Sequence, residues 1–193
     1  MALEDELRSI SDAARNYLMI TDEDVEMVKH YEKLFLERLD EIVEGALRSL
    51  LSSELTQRFI ESSGLTKERA MKLFKRWLAL FVKGGYDLHH AKEVFRIGLA
   101  HARYGVYDRL VCMCAGAWLR EILKAVGEGD VDDKIRLSIS AAKLIFWNLI
   151  MMLEGYHVAR RESLKKTGIS PQLAEKLFML KAEEVYSSFK ERL

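Results

Sequence analysis

The chain has 193 residues, with 30 Lys and Arg against 30 Asp and Glu, a formal net charge of zero. That balance argues against nucleic acid or an anionic membrane surface as the main partner, since both select a basic excess. Hydrophobic residues make up 49% of the chain, which excludes a disordered polymer, and the length fits one domain or at most two small ones. The single proline, Pro171, points to an all-helical protein, because helix interiors exclude proline whereas turn-rich β folds use it. Cys112 and Cys114 lie two apart in a helical pattern and project about 200° from one another. They therefore suit neither a disulfide nor a shared metal, and reduced thiols fit a cytoplasmic protein. The N-terminus is acidic and has no apolar signal region. The longest apolar stretch, Leu144 to Leu153, is too short to span a bilayer.

Taken in chain order, residues 1–20 form a short leading helix. Thr21 followed by Asp22, Glu23 and Asp24 is a helix start, with an N-cap and acids in the first turn. Helical spacing then continues to about Leu51, with Gly45 expected to mark a bend. Ser52-Ser53 opens a short turn through Leu55 and Phe59, and Ser62-Ser63-Gly64 reads as a loop. Thr66 caps a helix with the apolar face Ala70, Leu73, Phe74, Trp77, Leu78 and Phe81, ended by Gly84-Gly85. Further helices are expected over 87–104, stopped by Gly105, and over 107–126, stopped by Gly127-Glu128-Gly129. The longest runs over 131–166. Ser170-Pro171 then opens a last amphipathic helix with proline at its first position.

In the 131–166 helix, Ile135, Ile139, Ala142, Phe146, Leu149, Leu153 and Tyr156 step by alternating fours and threes, a heptad seam. Leu144, Ile145, Ile150, Met151 and Met152 form a second stripe. A helix apolar nearly all round needs cover on both sides. Its own domain supplies one cover; the other is a second subunit or, in a monomer, the rest of a central core.

Among the five histidines, His30 and His157 lie among charged residues and read as solvated. His89-His90, with Glu93, lacks a third or fourth metal ligand in register. His101 differs, because Val94, Ile97 and Gly98 stand one and two turns before it and Tyr104 and Gly105 one turn after. Its imidazole projects from an apolar face, beside a glycine that lets another surface approach the backbone. By pattern alone it is either a core histidine bonded to a neighbour or a ligand of haem or metal.

The string Phe95-Arg96-Ile97-Gly98-Leu99-Ala100-His101-Ala102-Arg103-Tyr104-Gly105-Val106 resembles the proximal segment of the sensor globins, the globin-coupled sensors and protoglobins. Residues 20–43 resemble the family's first long helices, and Phe81 to Tyr86 its link before the proximal helix. Lys143, Asn148 and Tyr156 fall where its last helix carries similar residues. The resemblance covers roughly residues 20–160. It implies an all-α, globin-like helical sandwich with an N-terminal extension (1–20), a globin domain (21–166) and an extra C-terminal helix (167–193).

The resemblance also implies that His101 is the axial ligand of haem b iron. The pocket it implies is lined by Leu47, Phe59, Leu73, Trp77, Ile97, Gly98, Val111 and Leu149. The implied function is non-enzymatic, apart from haem-derived side activity: a diatomic gas (O2, CO or NO) binds, and a homodimer through residues 106–126 and 131–166 reports to a signalling partner. The proximal helix is then expected to reach the dimer helices through residues 106–126. Where oxygen-binding members place a distal tyrosine after an aromatic, this chain has Ala46-Leu47. Leu110-Val111 replaces the aromatic pair that follows the proximal helix, and Lys72 falls nearest the family's small polar distal residue. Two readings follow: an apolar haem pocket favouring CO or NO over stable oxygen carriage, or a haem-free globin fold of the stressosome-sensor type with an empty or otherwise filled apolar pocket.

Overall fold

A computed structural model describes residues 3–190, apart from the side chains at 55, 59, 61–63, 189 and 190. Ten helices follow in order: α1 Leu3–Tyr17, α2 Asp22–His30, α3 Glu32–Glu37, α4 Leu39–Leu51, α5 Glu54–Ser63, α6 Lys67–Lys83, α7 Leu88–Arg103, α8 Asp108–Glu128, α9 Lys134–Lys166 and α10 Pro171–Lys190. No strand occurs among the described residues. The chain forms two compact units, Met1–Gly155 and Tyr156–Leu193, and α9 runs through their boundary.

Several helix starts are set by side chains that satisfy otherwise orphaned N–H groups. Thr21 and Asp24 form a reciprocal capping box on α2. The Thr66 hydroxyl accepts from Arg69 N on α6, and Asp87 Oδ1 accepts from His90 N on α7 at 2.9 Å. The expected helix from Asp22 to Leu51 is interrupted at Tyr31 and Arg38, not at Gly45. Both interruptions carry tertiary bonds. Tyr31 Oη accepts from Asp132 N, and the Arg38 guanidinium donates to Ala125 O at 3.1 Å and pairs with Glu128. Gly45 lies inside α4, where Glu121 of α8 packs so closely that a methyl would meet its Cγ at 2.9 Å. Its role is close approach rather than bending.

In the first unit, α4 packs on α8 and α6, and α1 packs on α7. Phe35, Ile42, Val43, Leu47, Leu78, Phe81, Ile122 and Leu144 form its buried core. α2 is tied to α9 by Asp24, which accepts from Ser140 Oγ at 2.7 Å, Lys143 Nζ at 2.9 Å and Thr21 N at 2.9 Å. Burial alone would raise the Asp24 carboxyl pKa; these bonds outweigh it and hold it below the usual value.

The α6–α7 corner turns at Tyr86, whose φ is +54°. Tyr86 N donates to His90 Nδ1 at 3.2 Å, its hydroxyl donates to Phe81 O at 2.8 Å, and Arg15 donates to its carbonyl at 3.0 Å. The Tyr86 and His90 rings both lie against Trp147 of α9, at 5.0 and 5.2 Å. Burial pushes His90 down to about 4, so its imidazole is neutral. His89 beside it is exposed, so the two histidines do not share a face.

Along α9, Leu144, Ile145, Met151 and Met152 are buried. The other stripe faces outward only over its first part: Ile135 is 75% exposed, Ile139 52% and Phe146 47%, whereas Tyr156 at its end is buried. By length and composition α9 is long and apolar enough to cross a membrane, although Asn148 interrupts its longest apolar stretch. More than half of its most apolar window is buried, as in the core helix of a soluble protein.

In the second unit, Gly168 at φ +77° ends α9, and the Ser170 hydroxyl accepts from Leu173 N to start α10 at Pro171. Leu173, Leu177, Phe178, Met179, Leu180, Val185 and Tyr186 are exposed.

Candidate functional site

His101 stands in the last turn of α7, which ends at Tyr104 and turns off through Gly105 at φ +72°. Its Nδ1 lies 2.8 Å from Ile97 O, one turn back. A carbonyl oxygen can only accept, so Nδ1 carries the hydrogen and Nε2 keeps its lone pair. Burial lowers the His101 pKa, more than the bond to Ile97 raises it, and the ring is neutral near pH 7. The residue as a whole is half-buried. A neutral imidazole fixed at one nitrogen and open at the other is the donor that a metal ion takes.

Only four residues, 84–87, join α6 to α7. On α6, Leu73 is an apolar side chain left 51% exposed. One turn on, Trp77 is buried between Phe81, stacked at 5.6 Å, and Trp118 of α8 at 4.6 Å, and its Nε1 has no hydrogen-bond partner. Leu47 and Val111 are buried, whereas Ile97 and Leu149 are half-buried. The Phe59 side chain lies outside the described residues. The surface that approaches Gly98 is α9, where a methyl on Gly98 would overlap Met152 O. Lys72 is exposed.

His101 suits an axial haem ligand on one observation of this structure: the Ile97 bond puts the ring hydrogen on Nδ1 and leaves the lone pair on Nε2.

A protoglobin family model matches residues 9–162. The chain belongs to the protoglobin family. Its fold is also that of the globin domain of the Geobacter sulfurreducens globin-coupled sensor. The TM-score is 0.68 at 20% identity, over 75% of this chain and 96% of that one. No curated protein sequence matches the chain. The protein is therefore an all-α protoglobin with a globin-like fold.

Sequence reasoning missed two parts of this protoglobin's interior. Cys114 shares a face of α8 with Trp118 one turn later, and Trp118 bonds to its thiol. Burial raises the Cys114 pKa to about 12, so the sulfur stays protonated and is a poor nucleophile or thiolate ligand. The helical spacing Val111, Cys114, Trp118, Ile122 carries that face in the sequence. His90 was also missed as a core residue, because its partner is a backbone N–H at a corner with an unusual φ.

Proposed function

We propose that the chain is a haem-binding sensor globin in which His101 Nε2 ligates iron and the exposed seam of α9 pairs two copies. The observation that carries this reading is the 2.8 Å contact from His101 Nδ1 to Ile97 O, which fixes tautomer and ring orientation together. Leu47, Leu73, Trp77, Ile97, Val111 and Leu149 are the proposed lining, whereas Gly98 meets the backbone of α9. Haem iron, when bound, supplies a reversible site for a diatomic gas. Ile97 O holds the His101 ring so that it need not reorient on ligation. Leu47 and Val111 offer no hydrogen bond to a polarised ligand, which disfavours oxygen relative to carbon monoxide or nitric oxide. Ile135, Ile139 and Phe146 supply the apolar seam for self-association, and the gas-dependent state of that dimer is what a signalling partner reads. A chain acting this way is cytoplasmic and needs no catalytic group of its own.

The test is hemin reconstitution of wild type and His101→Ala, followed by absorption. Wild type is expected to give a sharp Soret band at one hemin per chain, lost or shifted in the variant. A wild-type spectrum showing only loosely associated hemin overturns the reading. It would favour the haem-free alternative, which the apolar Leu47 supports.

A further inference from the structure

We infer that the backbone crossing of α7 and α9 at Gly98 and Gly155 is the contact through which the state of His101 reaches the α9 seam. The inference rests on the proposed function and deepens it by naming how the site is coupled to the surface.

At Gly98 and Gly155 the two helices meet backbone to backbone. A methyl on Gly98 would overlap Met152 O. From the other side, a methyl on Gly155 would sit 2.7 Å from Leu99 N and 2.9 Å from Phe95 O. One turn of each helix is therefore seated on the other, backbone against backbone. A contact through long side chains absorbs small shifts by changing rotamers. Carbonyls and amides locked in helical bonds cannot, so displacement of one helix moves the other.

The crossing also lies where a lever needs its pivot. The N-terminal end of α7 is fixed by the Asp87 cap and the Tyr86–His90 bond, with Arg15 and Trp147 holding the same corner. Its C-terminal end, which carries His101, is open. Tyr104 is exposed, and Gly105 has open space where a side chain would go. Gly98 precedes His101 by one turn, about 4.5 Å along the axis. A pull on His101 thus turns the last stretch of α7 about the crossing. On α9, Met152 is buried near this pivot, while Leu153 beside it is half-exposed and begins the seam that continues to Phe146 and Ile139. The same helix segment presents one face to α7 and the other outward.

The expected route through residues 106–126 has less to carry it. Tyr104 and Tyr107 at its start are exposed, and Gly105 and Gly116 have no atom within 4 Å of where a methyl would stand.

The experiment uses the full chain loaded with hemin and reduced, with and without carbon monoxide. Sedimentation gives the dimer dissociation constant in each state. Wild type is expected to differ by at least about fivefold between states. Gly98→Ala, folded and hemin-loaded, is expected to lose the difference, while Gly127→Ala, at a glycine with open space around it, keeps it. By reciprocity, Phe146→Arg, which opens the seam, shifts the carbon monoxide affinity of each site by the square root of that factor, because a dimer binds two molecules.

Hydrogen exchange on wild type keeps the inference testable if Gly98→Ala does not fold. Carbon monoxide is expected to change protection over 95–101 and 149–155 and leave 106–126 unchanged. Change confined to 106–126, no state dependence in wild type, or full coupling in a folded Gly98→Ala each overturns the inference while a His101-dependent Soret band stands. A wild type that binds no hemin removes the inference and the proposed function together.

Discussion

A single hydrogen bond decides what His101 is able to do. Its Nδ1–H is committed to Ile97 O, and desolvation keeps the ring neutral, so the lone pair on Nε2 is presented at ordinary pH. The absence of a donor at Leu47 is a second residue-scale property with a measurable consequence. Leu47→Tyr adds a hydroxyl at a buried position, at a packing cost of about 1–3 kcal/mol. In hemin-loaded protein it is expected to slow oxygen dissociation by roughly 10- to 100-fold, the equivalent of one charge-assisted hydrogen bond, read by stopped flow. His90 gives a third expectation. Its folded pKa of about 4 lies below the ordinary 6.5, so the unfolded chain binds more protons between those values. Stability therefore rises with pH across that window, and roughly 3 kcal/mol is lost on going from pH 6.5 to 4. His101 is displaced in the same direction and adds to the slope. Urea midpoints against pH check this, and His90→Phe is expected to flatten the curve.

Among the elements, α2 and α9 meet at a partly buried carboxylate that serves both a cap and a clamp. Asp24→Asn is expected to cost roughly 2 kcal/mol by weakening the bonds from Ser140, Lys143 and Thr21. At about 2–4 °C per kcal/mol, the melting temperature by circular dichroism falls by roughly 4–8 °C. Element starts were largely legible in the sequence, because Thr21, Thr66 and Pro171 act on their own first turns. The breaks at Tyr31 and Arg38 were not. They are held by Asp132, Ala125 and Glu128, some 90 to 100 residues away, and no local pattern carries such partners. Gly45 misled for the same reason: the atom that demands a glycine belongs to Glu121 on another helix.

For the molecule as a whole, the all-helical architecture follows from one proline and sustained helical spacing, and the proximal string around His101 carries the family. Local contacts were legible where the string is contiguous: His101 meets Ile97 O, and Gly98 admits another helix. Contacts across helices were less so, as where Trp77 finds Trp118. The exposed seam makes the clearest prediction at this scale. Phe146→Arg places a charge in an apolar stripe that is already outward-facing, so the fold is retained and self-association is lost. Light scattering on wild type and variant checks it, and a monomeric wild type removes the seam's proposed role. The three tryptophans have a consequence of another kind. Trp77, Trp118 and Trp147 are all buried, the first two in mutual contact. Shielded from water, they emit at short wavelength in the empty protein, and an absorbing porphyrin beside them drains that emission by energy transfer. If haem binds as proposed, the chain carries its own optical gauge of occupancy: bright when vacant, dark when loaded, without any label attached.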